Sequence, residues 1–277
     1  MSESGVATDE SGAGGKMKEW LRRFRYYREP PDEDKIRRWL AAFDRHHQQV
    51  AFKILDEVVV VGETDIQSGY RKALRGLKGW HADLMRRNGR WFFVGFGRPG
   101  ESGPAMLRSF REANKLASSS HDELFKALPD LPGLKLTARD HVVFVDDFAG
   151  TGKQVIDLWP RIAELVASEA RCYLILTALT TNAEQVIKDN TDLNVISHYV
   201  IKPDKAVFHA ENRTFSVDEK IIIEKYCRIA DSKRAKGFGE LGVLFILHHK
   251  TPNNALPILY ASHRKWQGLF PRYLQTA

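Results

Sequence analysis

The stretch Val142–Gln154, VVFVDDFAGTGKQ, constrains the fold of this chain more than any other segment. Its first four residues are apolar without alternation, the mark of a strand covered on both faces. Two aspartates end that run, and Thr151-Gly152 follows after three further residues. Val155, Leu158, Trp159, Ile162 and Leu165 then share one helical face, which Pro160 is expected to kink. A strand buried on both sides needs helices above and below it, so the motif predicts a layered α/β architecture.

Other segments repeat the pattern. Trp91–Phe96 is a short apolar and aromatic run, followed by a glycine-rich loop, Gly97–Gly103, and a helix from Pro104 to about Lys115. Arg171–Ala178 and Val195–Ile201 read as two more strands, with a short helix at Ala183–Lys188 between them. The expectation is an α/β fold, an open and mostly parallel sheet flanked by helices, preceded by an N-terminal helical domain. Residues 1–16 are rich in Gly, Ser and acidic residues and are expected to be disordered. Residues 17–88 read as the helical domain or cap. Trp20, Leu21 and Phe24 mark one helix and Ile36, Trp39, Leu40 and Phe43 a second, with Asp32 as a plausible N-cap. His47–Glu57 and Ile66–Leu77 follow. Residues 89–277 then form the sheet domain with a C-terminal hood region. In that tail Ser216–Glu219 is a capping box opening a helix to about Ile229, Val243–His248 is a strand, and Leu256–Tyr260 is an apolar run.

The chain has 277 residues, 43% of them apolar, and a formal net charge of +7. That balance suits an anionic ligand or a nucleic-acid partner without selecting either. The two cysteines, Cys172 and Cys227, fit no metal pattern, and such sparse use favours a reducing, cytoplasmic setting. Cys172 lies in an apolar run and is read as core. No apolar stretch approaches the roughly 20 residues of a spanning helix, and the first residues lack the apolar centre of a signal peptide. No membrane partner is expected.

Two loops, Gly97–Gly103 and Asp146–Gly152, follow strands and open helices. In a parallel sheet both lie at the carboxyl edge, where ligands bind, and each offers backbone N–H groups at a helix N-terminus. Two adjacent anion cradles suit a ligand with two phosphate groups. Ordinary turn chemistry is the competing reading of the Asp-Asp and Thr-Gly pairs. A P-loop is excluded: Asp147 stands where its first glycine is needed, and Gln154 where a Ser or Thr should hold Mg²⁺. Gly237–Gly242 spells G-x-G-x-x-G but follows a helix and precedes a strand, the reverse of a dinucleotide fingerprint.

The order apolar strand, acidic pair, spacer, Thr-Gly resembles the signature of the type I phosphoribosyltransferases. The resemblance implies that Asp146 and Asp147 hold the ribose hydroxyls and act as the catalytic pair. Ala149, Gly150, Thr151 and Gly152 would wrap the 5-phosphate, with Lys153 adding affinity or facing solvent. By the same likeness Ser102 and Gly103 would contact pyrophosphate, with Arg98 as counter-charge. A mobile basic loop would lie between the motifs, where Lys126, Lys135 and Arg139 are candidates. Mg²⁺ would come with the ligand's phosphates, with no protein metal cage. Many purine-type relatives carry an acidic base where this chain has Gly150, and Phe148-Ala149 departs from the usual apolar pair. Transfer to a purine by that route is therefore in question.

The tail HHKTPNNALPILYASHRKWQGLFPR resembles a bacterial group of phosphoribosyltransferase-like proteins with helical N-termini, the likeness spanning roughly residues 17–272. That group is associated with biological-conflict loci, including antiphage systems and some retrons, which implies a defence effector. Asn253 and Asn254 would form a hood that reads an acceptor or base, since amides both donate and accept; a turn is the alternative. His248 and His249 are read rather as structural. Two function classes stand: an enzyme that transfers or hydrolyses a ribosyl group, and an inactive sensor of phosphoribosyl pyrophosphate or nucleotide that regulates a partner. A third class is nucleic-acid binding through Lys18, Arg22, Arg23, Arg25, Arg28, Arg37 and Arg38 interleaved with Trp20, Tyr26 and Tyr27, against the commoner reading of such a stripe as a solvated helix face. Expected partners are thus a phosphorylated ribose or nucleotide, with a nucleic acid, a defence-system protein or a homo-oligomer as further possibilities.

Overall fold

Hydrophobic period decides most of the elements. The computed structural model describes residues 10–98, 100–166 and 170–272. In chain order these form α1 (Glu10–Phe24), α2 (Glu33–Ala41), α3 (Gln48–Glu57), β1 (Val59–Val61), α4 (Glu63–Gly76), β2 (Trp91–Gly95), α5 (Ser102–Ala113), β3 (His141–Ala149) and α6 (Lys153–Ala163). There follow β4 (Arg171–Thr180), α7 (Thr181–Asn190), β5 (Asn194–Ile201), α8 (Val217–Ala230), β6 (Phe245–Leu247), α9 (Pro257–Tyr260), β7 (Ser262–His263) and β8 (Trp266–Gln267). Of the tail expected to be disordered, residues 1–9 lie outside the described residues, and residues 10–16 are helical. Lys16 at the inner end of that stretch meets Asp56 at 2.5 Å.

Contacts divide the chain into two units, Met1–Glu63 with Ala206–Ala277, and Thr64–Lys205. The division differs from the single boundary expected at residue 88, for two reasons. Val59–Val61, hidden in a helical pattern, is a strand that pairs in parallel with β6 from the tail, Val60 opposite Ile246. Trp39 also donates from Nε1 to the Ile258 carbonyl at 2.8 Å. The first helices are thus built together with the tail. α4, expected in the helical domain, instead covers the large sheet, with Tyr70 against Phe110 at 5.7 Å between ring centroids.

The second unit holds that sheet, four parallel strands in the order β2-β3-β4-β5. In β2, β3 and β4 the side chains that alternate between the two faces are mostly apolar on both. Phe92, Val94, Val142, Phe144, Leu174 and Leu176 pack with Val155, Trp159 and Ile162 of α6 and Ala183 and Ile187 of α7. On the opposite face, Phe93 meets Phe110 of α5, and Thr177 meets Tyr70 of α4. Each fully buried aromatic such as Phe144 contributes ~2–3 kcal/mol. The sheet is therefore flanked by helices on both sides, as its continuous apolar runs predict.

The first unit is aromatic-rich. Trp20, Phe24 and Tyr27 are buried, and Phe24 and Tyr27 both pack edge-on to Phe270. The capping box is present, with Ser216 Oγ accepting from Glu219 N and Glu219 Oε2 accepting from Ser216 N. Both cysteines are buried, and burial pushes the Cys172 thiol up to about 12. No helix among the described residues is long and apolar enough to cross a membrane.

Candidate functional site

Parallel pairing places the carboxyl ends of β2 and β3 side by side, with Gly95 opposite Val145 and Phe96 N donating to Val145 O at 2.9 Å. Both glycine-bearing loops therefore leave the same edge. β3 runs further than the four apolar residues suggested: Asp146 and Asp147 are still strand, which fixes their backbone where a loop would leave it free.

The pair is buried, Asp146 to 4% and Asp147 to 7% exposure. Ser102, at the start of α5, bridges them, its hydroxyl lying 2.6 Å from Asp146 Oδ1 and 3.0 Å from Asp147 Oδ1. One hydroxyl carries one proton, so it donates to one carboxylate at a time. Asp147 N also donates to Asp146 Oδ1 at 2.9 Å. Burial, then the adjacent charge of Asp147, hold the Asp146 carboxyl well above the usual carboxylate range. Tyr70 supports the site from below: its hydroxyl donates to the Asp146 carbonyl and accepts from Thr177, each at 3.2 Å.

The turn after the pair is held by a residue the motif does not contain. Thr180, the N-cap of α7, donates from Oγ1 to Gly150 O at 2.6 Å and accepts from Ala183 N at 3.0 Å. Gly152 has φ +74°, a left-handed turn that glycine favours, and α6 begins at the next residue. Thr151 Oγ1 accepts from Lys153 N at 3.3 Å. The first N–H groups of this helix thus open beside the acid pair. Lys153 is directed along its own helix, its ammonium 2.8 Å from Asp157.

The other loop approaches just as closely. A Cβ on Gly103 would lie 1.9 Å from Phe96 O, so only glycine lets α5 start against β2. Within the loop, Glu101 Oε2 accepts from Arg98 N at 2.8 Å and from Gln154 Nε2 at 3.3 Å. The Arg98 side chain is exposed, and Pro99 lies outside the described residues. The span between the motifs is pinned to the sheet. Phe125 bridges Phe93, Lys126 N donates to Phe93 O at 3.1 Å, and the Lys126 ammonium meets Glu123 at 2.7 Å. Lys135 and Arg139 are exposed further along it.

Asn253 and Asn254 belong to the other unit. Asn254 is buried and donates from Nδ2 to Phe238 O at 2.8 Å, while Asn253 O accepts from Phe238 N. There they fasten the turn around Phe238. His248 Nδ1 lies 2.6 Å from the Tyr26 carbonyl. The basic-aromatic stripe of the N-terminus is divided: Lys18, Arg22, Arg25, Tyr26, Arg37 and Arg38 are exposed, but two of its three aromatics are not. Trp20 and Tyr27 are core, and Arg23 donates to the carbonyls of Leu55, Asp56 and Val58 at the end of α3. One trio among the described residues, Asp44, His46 and His47, has metal-ligand spacing, but Lys225 already holds Asp44 at 2.9 Å.

A family model described as PRTase-CE matches residues 36–272. The chain belongs to the PRTase-CE family. The match runs from α2 through the tail, so the family's module includes both units rather than the large sheet alone. Its members are phosphoribosyltransferase-like, which agrees with the parallel sheet flanked by helices. No curated protein matches this chain. Among solved structures it is similar to a hypoxanthine-guanine-xanthine phosphoribosyltransferase, at 13% identity and a TM-score of 0.29, covering 50% of this chain and 76% of that one. It is also similar to a purine phosphoribosyltransferase from Pyrococcus horikoshii Ot3, at 14% identity and a TM-score of 0.30, covering 53% and 93%.

Proposed function

We propose that this PRTase-CE protein binds a ligand bearing ribose 5-phosphate, either phosphoribosyl pyrophosphate or a nucleotide, and transfers or hydrolyses its ribosyl group. One observation carries the reading. The Ser102 hydroxyl already sits at 2.6 and 3.0 Å from two buried carboxylates, the contact a sugar diol would make in its place. Residues 149–152 and the start of α6 would take the 5-phosphate, and the start of α5 the second phosphate group. In the transfer, the bond from C1 to the leaving atom breaks, and its electron pair departs with pyrophosphate from phosphoribosyl pyrophosphate or with the base nitrogen from a nucleotide. C1 then takes a lone pair from an acceptor nitrogen or from water, and the proton that the acceptor carries is released to solvent. The aspartates favour the positive charge that builds on the ribose ring. Asp146 and Asp147 are hard oxygen donors, the class a magnesium ion takes, and such an ion arriving with the phosphates would neutralise charge on the leaving group. A cellular role as an antiphage effector is part of the proposal.

A second reading, a sensor without turnover, is favoured by Gly150 at the position of an acidic base and by the pinned Lys126. Isothermal titration with phosphoribosyl pyrophosphate, ribose 5-phosphate and nucleoside monophosphates, each with Mg²⁺, tests binding. A pyrophosphate-release assay on the same samples tests turnover. Turnover lost in Asp146→Asn/Asp147→Asn supports the enzyme, and binding without turnover supports the sensor. No binding by any of these ligands removes both. Phage plating on cells carrying the wild type or the double variant tests the defence role.

A further inference from the structure

The first unit carries a second concavity whose chemistry points to phosphate. A cavity of about 900 Å³ opens between the end of α8 and the β7–β8 hairpin. Arg228, Lys233, Arg234, Lys265 and Arg272 all line it, against a single carboxylate, Asp231. That carboxylate is turned into its own loop, where Oδ1 accepts from Lys233 N at 3.0 Å and Arg234 N at 3.2 Å. Lys233, Arg234 and Lys265 make no ion pair among the described residues, in contrast to Lys53, Arg90 and Arg111, which do. Arg228 is paired with Glu224.

The remaining polar groups of the wall are donors or are already used. The end of α8 would repel an anion through its free carbonyls, but His263 Nε2 is bonded to Ala230 O at 2.8 Å and Asp231 N donates to Cys227 O. His263 Nδ1 accepts from Lys265 N at 3.2 Å, which leaves Nε2 as the ring's donor to Ala230 O. Burial pushes the Tyr260 phenol up from its ordinary value, so it stays a neutral donor, and the Arg272 guanidinium stands 5.7 Å from its ring centre. A wall rich in donors and cations and poor in acceptors fits an acceptor-only, multiply charged group. The volume is at the upper end of the ~300–1,000 Å³ usual for small-molecule sites.

We infer that this cavity is a binding site for an oligophosphate anion of nucleoside-triphosphate size, separate from the acid-pair site and held in the other unit. The cations take the phosphate chain, and Tyr260 with Arg272 provides a flat surface for an attached base. The site does not depend on the proposed ribosyl chemistry.

The test is titration calorimetry of the full chain with ATP, inorganic tripolyphosphate and adenosine, and with a short oligodeoxythymidylate. ATP and tripolyphosphate should bind and adenosine should not. Lys233→Glu/Lys265→Glu, both exposed positions, should weaken ATP binding at least tenfold with an unchanged melting temperature. Asp146→Asn/Asp147→Asn should leave tripolyphosphate binding within twofold, because that anion has no ribose for the acid pair, which separates this site from the other. Equal affinity in the lysine variant, loss of tripolyphosphate binding in the aspartate variant, or binding of the oligonucleotide alone would each overturn the inference.

Discussion

Replacing Asp146 with asparagine should make the ligand-free protein more stable at neutral pH and abolish its response to ligand. The carboxyl is 4% exposed and held above its usual range by burial and by Asp147. A group whose pKa rises on folding lends stability below its unfolded value and loses it as pH climbs through the folded one. Wild-type stability should therefore fall from acid towards neutral pH through this residue. Ser102 bridges the two Oδ1 atoms at 2.6 and 3.0 Å, so the charges lie close. Two unit charges ~4 Å apart repel by ~4 kcal/mol at an effective dielectric of ~20. The protein can avoid this by keeping a proton, at about 1.4 kcal/mol for each pH unit above an ordinary carboxylate value. Either route caps the relief from the amide at roughly 2–4 kcal/mol at about pH 7, or some 4–15 °C in Tm. Differential scanning fluorimetry from about pH 4 to about pH 8 reads it, and the gain should shrink towards zero at the acid end. Phosphoribosyl pyrophosphate with Mg²⁺ should raise the Tm of the wild type alone. A variant that melts lower at neutral pH, or a gain that does not change with pH, would refute the reasoning.

Other positions give sharper structural tests. Gly103→Ala should destabilise by ~3 kcal/mol or more, because its Cβ would meet Phe96 O at 1.9 Å; an unchanged urea midpoint would contradict the close approach. Thr180→Val removes the bonds to Gly150 O and from Ala183 N, about 1 kcal/mol each. It should also weaken ribose 5-phosphate about tenfold by calorimetry, as one lost charge-assisted contact would; full affinity would show that Thr180 does not position the phosphate turn. Asp140 is held down to about 2 by Arg90 and by Thr137, so its contribution is present above an ordinary carboxylate value and lost as pH falls through about 2. Asp140→Asn should cost roughly 1–2 kcal/mol at neutral pH and flatten the acid limb of the stability profile; an unaltered limb would place the acid sensitivity elsewhere.

What was legible in the sequence was what has a period or a local signature. Buried strands read as unalternating runs, and all four strands of the large sheet lie where Trp91, Val142, Arg171 and Val195 begin or border them. The Asp32 N-cap and the Ser216–Glu219 box are local chemistry and were legible for that reason. β1 was not, because three valines at residues 59–61 carry no period of their own and become a strand only against Phe245–Leu247. The same missing pairing misplaced the division of the chain. At the site, the acid pair and the glycines were readable from order alone. Thr180 and Tyr70 were not, since each reaches the site across the fold, 30 and 76 residues from its partner. The N-terminal aromatics were legible only in part: Trp20 and Tyr27 alternate with cations in sequence, yet both are core while Lys18, Arg22 and Arg25 remain exposed.

The acid pair is hard to explain as packing. A buried structural turn would be served by an asparagine, which satisfies a serine hydroxyl and a backbone N–H without the repulsion of a second carboxylate. Gly103 and Gly152 also concentrate at this edge, one with no room for a Cβ and one with a positive φ. Each feature is a local cost to stability, and all of them meet where two helices begin. A ligand that donates hydroxyl protons to the carboxylates and places phosphate oxygens at the helix starts would offset these costs together. No single structural role does so. Such a ligand would be bound at this edge, and Gly150 supplies no base for the transfer. An acceptor that brings its own lone pair at neutral pH, water or an unprotonated ring nitrogen, is the one this site can use.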